Sequence, residues 1–322
     1  MLLVITNKTD LTSDYLAIRL KERSIPFFRL NTEDYPDLID IDFKFSVKKQ
    51  NIIIKYLCKQ LNLSDVTAAY FRRPVLPYIN NIDIADTDFA QRELETTIAG
   101  LCRLIKEEIW LNQPKNIYFA NNKIEQLKMS LELGFNIPNT LISKNFEEIK
   151  NFYFVNKPII GKAVKNGFYS TDDRSVKIAL TQNITADDMD RIEEFAPVPM
   201  IYQNKLRKKY DIRVTVVGDN VFPVAIMSQE YEECETDWRA WDILNKLDLK
   251  HEVLILPSDV SQKCIDLTRR FKLKFSTIDL VFTQEDEYVF LELNPNGQWA
   301  WIEEKTRLPI RDAIIDTLYK RG

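Results

Sequence analysis

Ile278-Asp279-Leu280-Val281, followed by Val289-Phe290-Leu291-Glu292-Leu293-Asn294-Pro295-Asn296-Gly297, is the stretch on which the fold of this chain turns. The two apolar runs flank the acidic pair Asp286-Glu287 and read as the strands of a hairpin. Side chains alternate along a strand, so Glu292 and Asn294 share one face while Leu291 and Leu293 take the other. Asp279, on the partner strand, can stand opposite them. An acidic and amide pair at the end of a strand of Val, Phe and Leu has two readings. One is a solvated sheet face ending in a Pro-Asn-Gly turn. The other is two carboxylates and an amide carbonyl gathered as hard oxygen donors for Mg²⁺ held between phosphates. Strand pattern alone does not separate them.

Bulk composition narrows the field. The chain has 322 residues, too many for one ordinary core. Hydrophobic residues make up 45% and charged residues 29%, the profile of a folded soluble protein. A net charge of −4 gives no global basic field for nucleic acid. No apolar run is long enough for a membrane span. Met1-Leu2-Leu3-Val4-Ile5-Thr6 lacks a basic leader region and a small-residue cleavage site, and reads as a first strand. Cys58, Cys102, Cys234 and Cys264 form no CxxC pair, so free thiols in a reducing cytoplasm account for them. The single histidine, His251, argues against zinc-hydrolase and Ser-His-Asp chemistry. Seven glycines supply neither a GxGxxG nor a Walker A loop. A bound nucleotide needs another architecture.

Outward from the hairpin, residues 2–6 and 27–30 read as strands joined by a helix over 12–22 after a Thr/Ser cap, a βαβ unit and hence a parallel sheet. Residues 43–47 and 51–56 read as a hairpin. Residues 68–71 read as a strand stopped by Arg72-Arg73-Pro74, and 88–110 as a long amphipathic helix. A second block opens with a helix over 122–134 that ends at Gly134, the position glycine favours after a helix. It continues with strands over 140–143, 154–160 and 176–180, helices over 146–152 and 186–195, and a polar loop over 161–171. The last block is strand-rich: 200–204, 211–217, 221–227, 253–255, 276–282 and 288–293, with helices over 258–271 and 309–320. The expected class is α/β, turning α+β in the C-terminal part, with domains 1–116, 117–199 and 200–322.

These phrases together resemble the ATP-grasp superfamily. Asp279 with Glu292-Leu293-Asn294 resembles its D…ExN magnesium signature. Asn122-Lys123 opens a helix ending in "LGFNIPNT", where the family's lysine reaches the nucleotide phosphates. Val155-Asn156-Lys157-Pro158 resembles the strand whose lysine contacts the α-phosphate and the adenine region. The loop 161–171 sits where the family places its phosphate-covering loop, although it is poor in glycine. Gln203-Asn204-Lys205-Leu206 resembles the hinge that pairs with the adenine edge, with Asn204 where a glutamate is common. Asp211-Ile212-Arg213-Val214-Thr215-Val216-Val217-Gly218 resembles the strand whose arginine faces the transferred phosphate. The resemblance implies a pre-ATP-grasp domain, a small central domain and a C-terminal antiparallel-sheet domain, with ATP and Mg²⁺ between the last two. Each residue also has a plainer reading. Lys123 can be a solvated first-turn residue, though a cation there opposes the helix dipole. Arg213 and Arg239 can belong to surface ion pairs, as can Asp211 with Lys209. Lys157 in an apolar strand, by contrast, would need a partner such as phosphate.

Longer phrases are more specific. "FFRLNTEDYP" (27–36), "AYFRRP" (69–74), "DWR" (237–239) and "LELNPNGQWAWIE" (291–303) resemble the microviridin-type peptide cyclases, also called graspetide synthetases. That resemblance implies a cytoplasmic ligase acting on a ribosomally made precursor peptide. Core Asp or Glu side chains would be phosphorylated, then joined to Thr or Ser hydroxyls or a Lys amine as ω-esters or ω-amides. Arg213 and Arg239 would stabilise the acyl phosphate and its tetrahedral successor. Arg72 or Arg73 would face the acidic substrate. The segment 186–195, with Met189, Ile192 and Phe195 at helical spacing, would receive the leader through Asp187, Asp188 and Arg191, although a solvated acidic face is its plainer reading. A homodimer is compatible with the resemblance, while nucleic acid and membrane are not expected. Two rival readings stand beside it: a ligase adding free amino acids, and a non-catalytic peptide-binding protein on the same scaffold.

Overall fold

The computed structural model describes residues 1–322 except 76, 78, 80–82, 166–167, 171–175, 179, 195–197, 241–248 and 320–322. The chain forms two compact units, one of 1–117, 272–275 and 296–322, the other of 118–271 and 276–295.

The first unit is built on a parallel sheet in the order Phe27–Asn31, Leu2–Thr6, Ala68–Phe71. Its middle strand is buried at all five positions, as a parallel strand covered on both faces must be. Helix Leu11–Glu22 makes the crossover. A separate antiparallel sheet joins Ile39–Phe45, Gln50–Tyr56 and Lys59–Asn62, the last strand being additional to the expected hairpin. The long helix runs over Ile84–Leu104, not 88–110. The chain is extended at Ile105 and Lys106, and Trp110 is buried and bridged to Ala69 beside the sheet. Burial of that large indole against the sheet competes with continuation of the helix. Helices Ala300–Thr306 and Ile310–Tyr319 also belong here, with Arg19 bonded to both oxygens of Asp312 at 2.8 and 2.9 Å.

The second unit holds two sheets. The smaller has the order Gln182–Ile184, Ile159–Lys162, Met200–Asn204, Thr140–Ser143, all antiparallel. Ile149, Ile159, Met189, Ile192 and Tyr202 form the apolar cluster on one face. The larger has the order His251–Val253, Asn220–Ile226, Lys208–Val217, Phe275–Thr283, Tyr288–Asn294. Helix Ser258–Arg270 buries Val260, Cys264, Ile265 and Leu267 beside it.

One expected strand is wrong. Residues 146–156 form a single helix, Phe146–Asn156, and the strand begins only at Ile159. Phe152-Tyr153-Phe154-Val155 is β-prone by composition, but Asn145 caps the helix by accepting from the Glu147 and Glu148 N–H groups. Ile149, Phe152 and Tyr153 then pack inward at helical spacing while Phe154 and Val155 are exposed. The segment 186–195 is also shorter than expected, a five-residue α-helix Ala186–Asp190 followed by a 3-10 turn Ile192–Glu194. Phe195 and parts of the loop 161–171 lie outside the described residues. Among the described residues, no helix is long and apolar enough to cross a membrane.

Candidate active site

The carboxylate hairpin forms as its pattern requires. Asp279 and Glu292 are direct partners across the strands, and Asn294 faces Thr277. The register then shifts, so that Leu280 pairs with Phe290 and Leu291 is left without a partner. Strict alternation therefore stops at Leu291, and the irregularity lies beside the acidic pair, where bulges re-aim side chains. Asn294 Nδ2 donates to Asp279 Oδ2 at 3.2 Å and to Glu292 Oε1 at 3.1 Å, drawing the three groups together.

Cations surround this set. Arg213, on the strand Lys208–Val217, donates through Nη1 to Asp279 Oδ1 and Oδ2 at 2.7 and 2.9 Å, and both residues are buried. Lys123 Nζ lies 3.2 Å from Glu292 Oε2. It opens helix Lys123–Glu132, whose cap is the Asn122 side chain. Burial pushes the Asp279 carboxyl up and Glu292 adds to that, while Arg213 opposes them. Burial alone would also raise Glu292, but Lys123, Lys162 and Arg239 hold it well below the usual carboxylate range.

Lys162 joins this charge cluster, and the sequence pattern did not single it out. It ends the strand Ile159–Lys162 opposite Ile201, half-buried, and its Nζ has no hydrogen-bond or ion-pair partner among the described residues. Burial pushes its amine down to about 8, with Lys123 and Arg239 pushing the same way and Glu292 opposing. A cation under that strain fits a phosphate oxygen. Lys157, the expected candidate, is instead the exposed C-cap of helix Phe146–Asn156, its Nζ 5.8 Å from the centre of the Phe154 ring. The alternation of Ile159 and Gly161 against Ile160 and Lys162 is the available signal, and an expected strand ending at residue 160 hides it.

At the hinge, Gln203 is buried and its Nε2 donates to Thr140 Oγ1. Asn204 is tied to Asn139 twice, its Oδ1 accepting from the Asn139 N–H at 2.7 Å and its own N–H donating to the Asn139 C=O at 3.3 Å. The Lys205 N–H donates to Pro158 C=O at 2.8 Å and its Nζ lies 3.1 Å from Glu235. Leu206 and Asn204 border an open cleft of about 660 Å³ whose lining contains none of the lysines or metal-type carboxylates. The charge cluster, not the cleft, locates the chemistry.

Arg239 is half-exposed and held by Asp237, its Nε and Nη2 donating at 2.9 and 2.6 Å. Those bonds keep its guanidinium protonated beyond its ordinary range. Asp237 Oδ2 also accepts from the Thr181 N–H at 3.2 Å. The loop before it is anchored by Lys208, which reaches both oxygens of buried Asp211 and the Thr236 carbonyl. Lys208, expected at a solvated hairpin end, is therefore a buried strut, and Asp211 pairs with it and not with Lys209.

The two arginines expected at the substrate differ in exposure. Arg72 is fully buried in the first unit, where Nη1 donates to Asn296 C=O at 2.7 Å and Nη2 to Thr12 Oγ1 at 3.5 Å. Arg73 is the exposed one, with φ of 47°. Of the leader candidates, Asp188 closes a capping box with Thr185 and Arg191 pairs with Glu194, leaving Asp187 exposed.

The donor set fits a divalent cation. Asp279, Glu292 and Asn294 offer hard oxygens at adjoining positions, and Arg213 and Lys123 balance their charge. Among the described residues there is no cluster of three or more His, Cys, Asp or Glu that would make a free-standing metal cage. Two carboxylates with an amide suit an ion held jointly with phosphates.

Residues 1–118 match the MvdD pre-ATP grasp domain and residues 120–318 the RimK-like ATP-grasp domain. No curated protein matches the sequence. Among solved structures, a RiPP-associated ATP-grasp ligase from Chryseobacterium gregarium, in complex with ADP and a leader and core peptide, is similar with a TM-score of 0.90 and 27% identity over 98% of this chain and 96% of that one. The macrocyclase MdnC of Microcystis aeruginosa, bound with precursor peptide MdnA, has a TM-score of 0.85 and 25% identity over 98% of each chain. The macrocyclase MdnB of the same organism has a TM-score of 0.81 and 26% identity over 99% of each. With the RimK-like match spanning well over half its length, and its carboxylate pair ringed by cations on the strands described, the chain belongs to the RimK-like ATP-grasp family.

Proposed function

We propose that this protein is an ATP-dependent macrocyclase of a ribosomally made precursor peptide. The observation that carries the reading is the likeness, nearly end to end, to a ligase solved with ADP and a leader and core peptide. In this reading a core Asp or Glu carboxylate oxygen attacks the γ-phosphorus of ATP, ADP leaves, and an acyl phosphate forms. A Thr or Ser hydroxyl, or a Lys amine, then attacks the acyl carbon, phosphate leaves, and the nucleophile's proton passes to solvent or phosphate. Lys123 and Lys162 hold the phosphates. Asp279, Glu292 and Asn294 would hold Mg²⁺, which supplies charge neutralisation between phosphates when bound. Arg213 and Arg239 stabilise the transferred phosphoryl group and the oxyanion that follows. Arg239 is presented by Asp237, so its fork is oriented before substrate arrives.

The test is mass spectrometry of the short Thr-, Asp- and Glu-containing peptide encoded beside the gene, after incubation with the protein, ATP and Mg²⁺. Loss of one water per ring supports the reading. A gain equal to an amino-acid residue would move the protein to the ligases that add free amino acids. An unchanged peptide, with no ATP consumed, would leave a binding protein.

The lysine assignment gives a sharper expectation. Lys162→Met should weaken ATP binding by roughly a hundredfold, because a charge-assisted phosphate contact in a partly buried site is lost. Lys157→Ala should leave it within about twofold, as expected for an exposed side chain at a helix end. Calorimetric titration of both variants decides, and the reverse ranking would restore Lys157 to the site.

For the leader, Asp187 is the exposed acidic candidate. Asp187→Lys should weaken binding of a leader-only peptide, read by fluorescence anisotropy, while ATP affinity holds, since a reversed rim charge acts on complementarity. Equal leader affinities would move the search to the edge of the Val176–Ile178 strand.

A further inference from the structure

The strand that carries Glu292 and Asn294 lies at the edge of its sheet, and one side chain closes that edge. Tyr288–Asn294 is the last strand of the five-stranded order, so only one of its sides is paired within the sheet. Leu293 stands between the two ligand-type residues, its side chain buried on the opposite face. Gln126 meets it from the helix Lys123–Glu132. The Gln126 Oε1 accepts from the Leu293 N–H at 2.9 Å, and Nε2 donates to the Leu293 C=O at 2.7 Å. The same Nε2 donates to the Ala120 C=O at 2.7 Å. Gln126 is 2% exposed, and all three bonds are buried.

The amide cannot be turned over, because two carbonyls require its nitrogen and one N–H requires its oxygen. Its bonds to Leu293 supply what a further strand would offer that residue. Without them, a buried strand edge would carry two orphan backbone groups. Farther along, the Phe290 N–H donates to the Asn136 C=O at 2.8 Å. The register shift falls between these two outer anchors, at Leu291. A bulge disrupts the ladder locally, so the ligand end of the strand leans on its anchor at Leu293. Gln126 also lies one turn beyond Lys123, on the same face of the helix. Lys123 Nζ is 3.2 Å from Glu292 Oε2. The ion pair and the amide latch therefore join one helix to one strand at consecutive residues.

We propose that Gln126 is a positioning residue for the magnesium site: by gripping the backbone of Leu293 it sets Glu292 and Asn294 against Lys123. The proposal rests on the nucleotide and Mg²⁺ reading given above. Gln126 touches no reacting atom in it and acts through the strand.

Gln126→Met keeps the length of the side chain and removes all three bonds. In the full-length protein with saturating ATP, the Mg²⁺ concentration giving half-maximal turnover should rise by roughly tenfold or more, the scale of losing a partner that orients a metal ligand. Turnover should recover as Mg²⁺ is raised. Thermal melting gives a second readout. The rise in melting temperature that Mg²⁺ adds to the ATP complex should need a correspondingly higher Mg²⁺ concentration. Calorimetric affinity for ATP without Mg²⁺ should stay within about threefold of the wild type, because the phosphate lysines are kept. Leu267→Ala is the control. Leu267 is fully buried in the helix Ser258–Arg270, so its truncation lowers stability through a cavity and should leave half-saturation by Mg²⁺ unchanged. If Gln126→Met does not melt cooperatively, Gln126→Asn, one methylene shorter, takes its place, with a shift expected in the same direction. Unchanged half-saturation in the folded variant overturns the proposal. So does an equal shift in Leu267→Ala, which would make the effect one of stability alone. A wild type whose ATP complex gains nothing from Mg²⁺ overturns the magnesium reading itself, and the proposal with it, before any variant is made.

Discussion

Glu292→Gln should give a folded protein that has lost turnover, by roughly a hundredfold or more, the scale of removing a group that manages charge in a transition state. Glu292 sits at the meeting point of the cluster. Its carboxylate faces Lys123 at 3.2 Å, accepts from Asn294 at 3.1 Å, and is held ionised by Lys123, Lys162 and Arg239 against the effect of burial. An amide in its place keeps the shape and the Asn294 contact but removes the one anion that three cations share. Lys123 and Lys162 then repel each other unscreened, so some stability should be lost in the nucleotide-free protein. ATP phosphates can replace that anion, so ATP alone should still raise the melting temperature. The further rise on adding Mg²⁺, expected of the wild type, should vanish, because a donor of the ion is gone. Thermal melting with ATP, with and without Mg²⁺, separates these effects from turnover. Wild-type turnover at ordinary Mg²⁺ would remove Glu292 from the site.

The parts of this site that are legible in the sequence lie on strands whose neighbours are unambiguous. Arg213 alternates with Val214 and Val216, and Glu292 with Leu293, so the period-two pattern by itself puts each on a strand. Lys123 is legible through Asn122, a cap that marks a helix start. Local competition is what the pattern hides. Residues 152–155 are aromatic and β-branched, which favours a strand, yet the Asn145 cap and inward packing of Ile149 hold them helical. That one competition directs the expectation to Lys157 and hides Lys162 at the end of the following strand. Which of Arg72 and Arg73 is buried stays hidden for a different reason. An arginine at the carboxyl end of a parallel strand suggests a ligand crevice, but hydrogen bonds to Asn296 and Thr12 come from residues 224 and 60 positions away, and no pattern in the sequence displays them. The same holds for Lys208 and Asp211. A basic run looks solvated until Ser228 and the Thr236 carbonyl arrive from a later loop to bury the pair.

Arg213→Met should lower stability and rate together, and the double variant with Asp279→Asn should separate them. Arg213 gives Nη1 to both oxygens of Asp279, and the two residues are 7% and 8% exposed. Removing the guanidinium leaves a buried carboxylate with another, Glu292, as its cross-strand partner. Breaking a buried pair from one side typically costs about 3–5 kcal/mol, most of it the burden of the charge left behind. The melting temperature of the nucleotide-free protein should therefore fall by several degrees. Asp279→Asn in the same protein removes that stranded charge, so the double variant should recover most of the loss, a coupling that a double-mutant cycle reads directly. Rate should not recover with it. The transferred phosphoryl group still lacks the arginine, and turnover should stay down by roughly a hundredfold or more in both proteins. If the double variant melts as low as Arg213→Met alone, the arginine supports the fold through something other than Asp279, for which its buried Nε, without a partner among the described residues, is the place to look. If Arg213→Met turns over like the wild type, the arginine does not reach the reacting phosphate, and Arg239 alone would have to carry that charge.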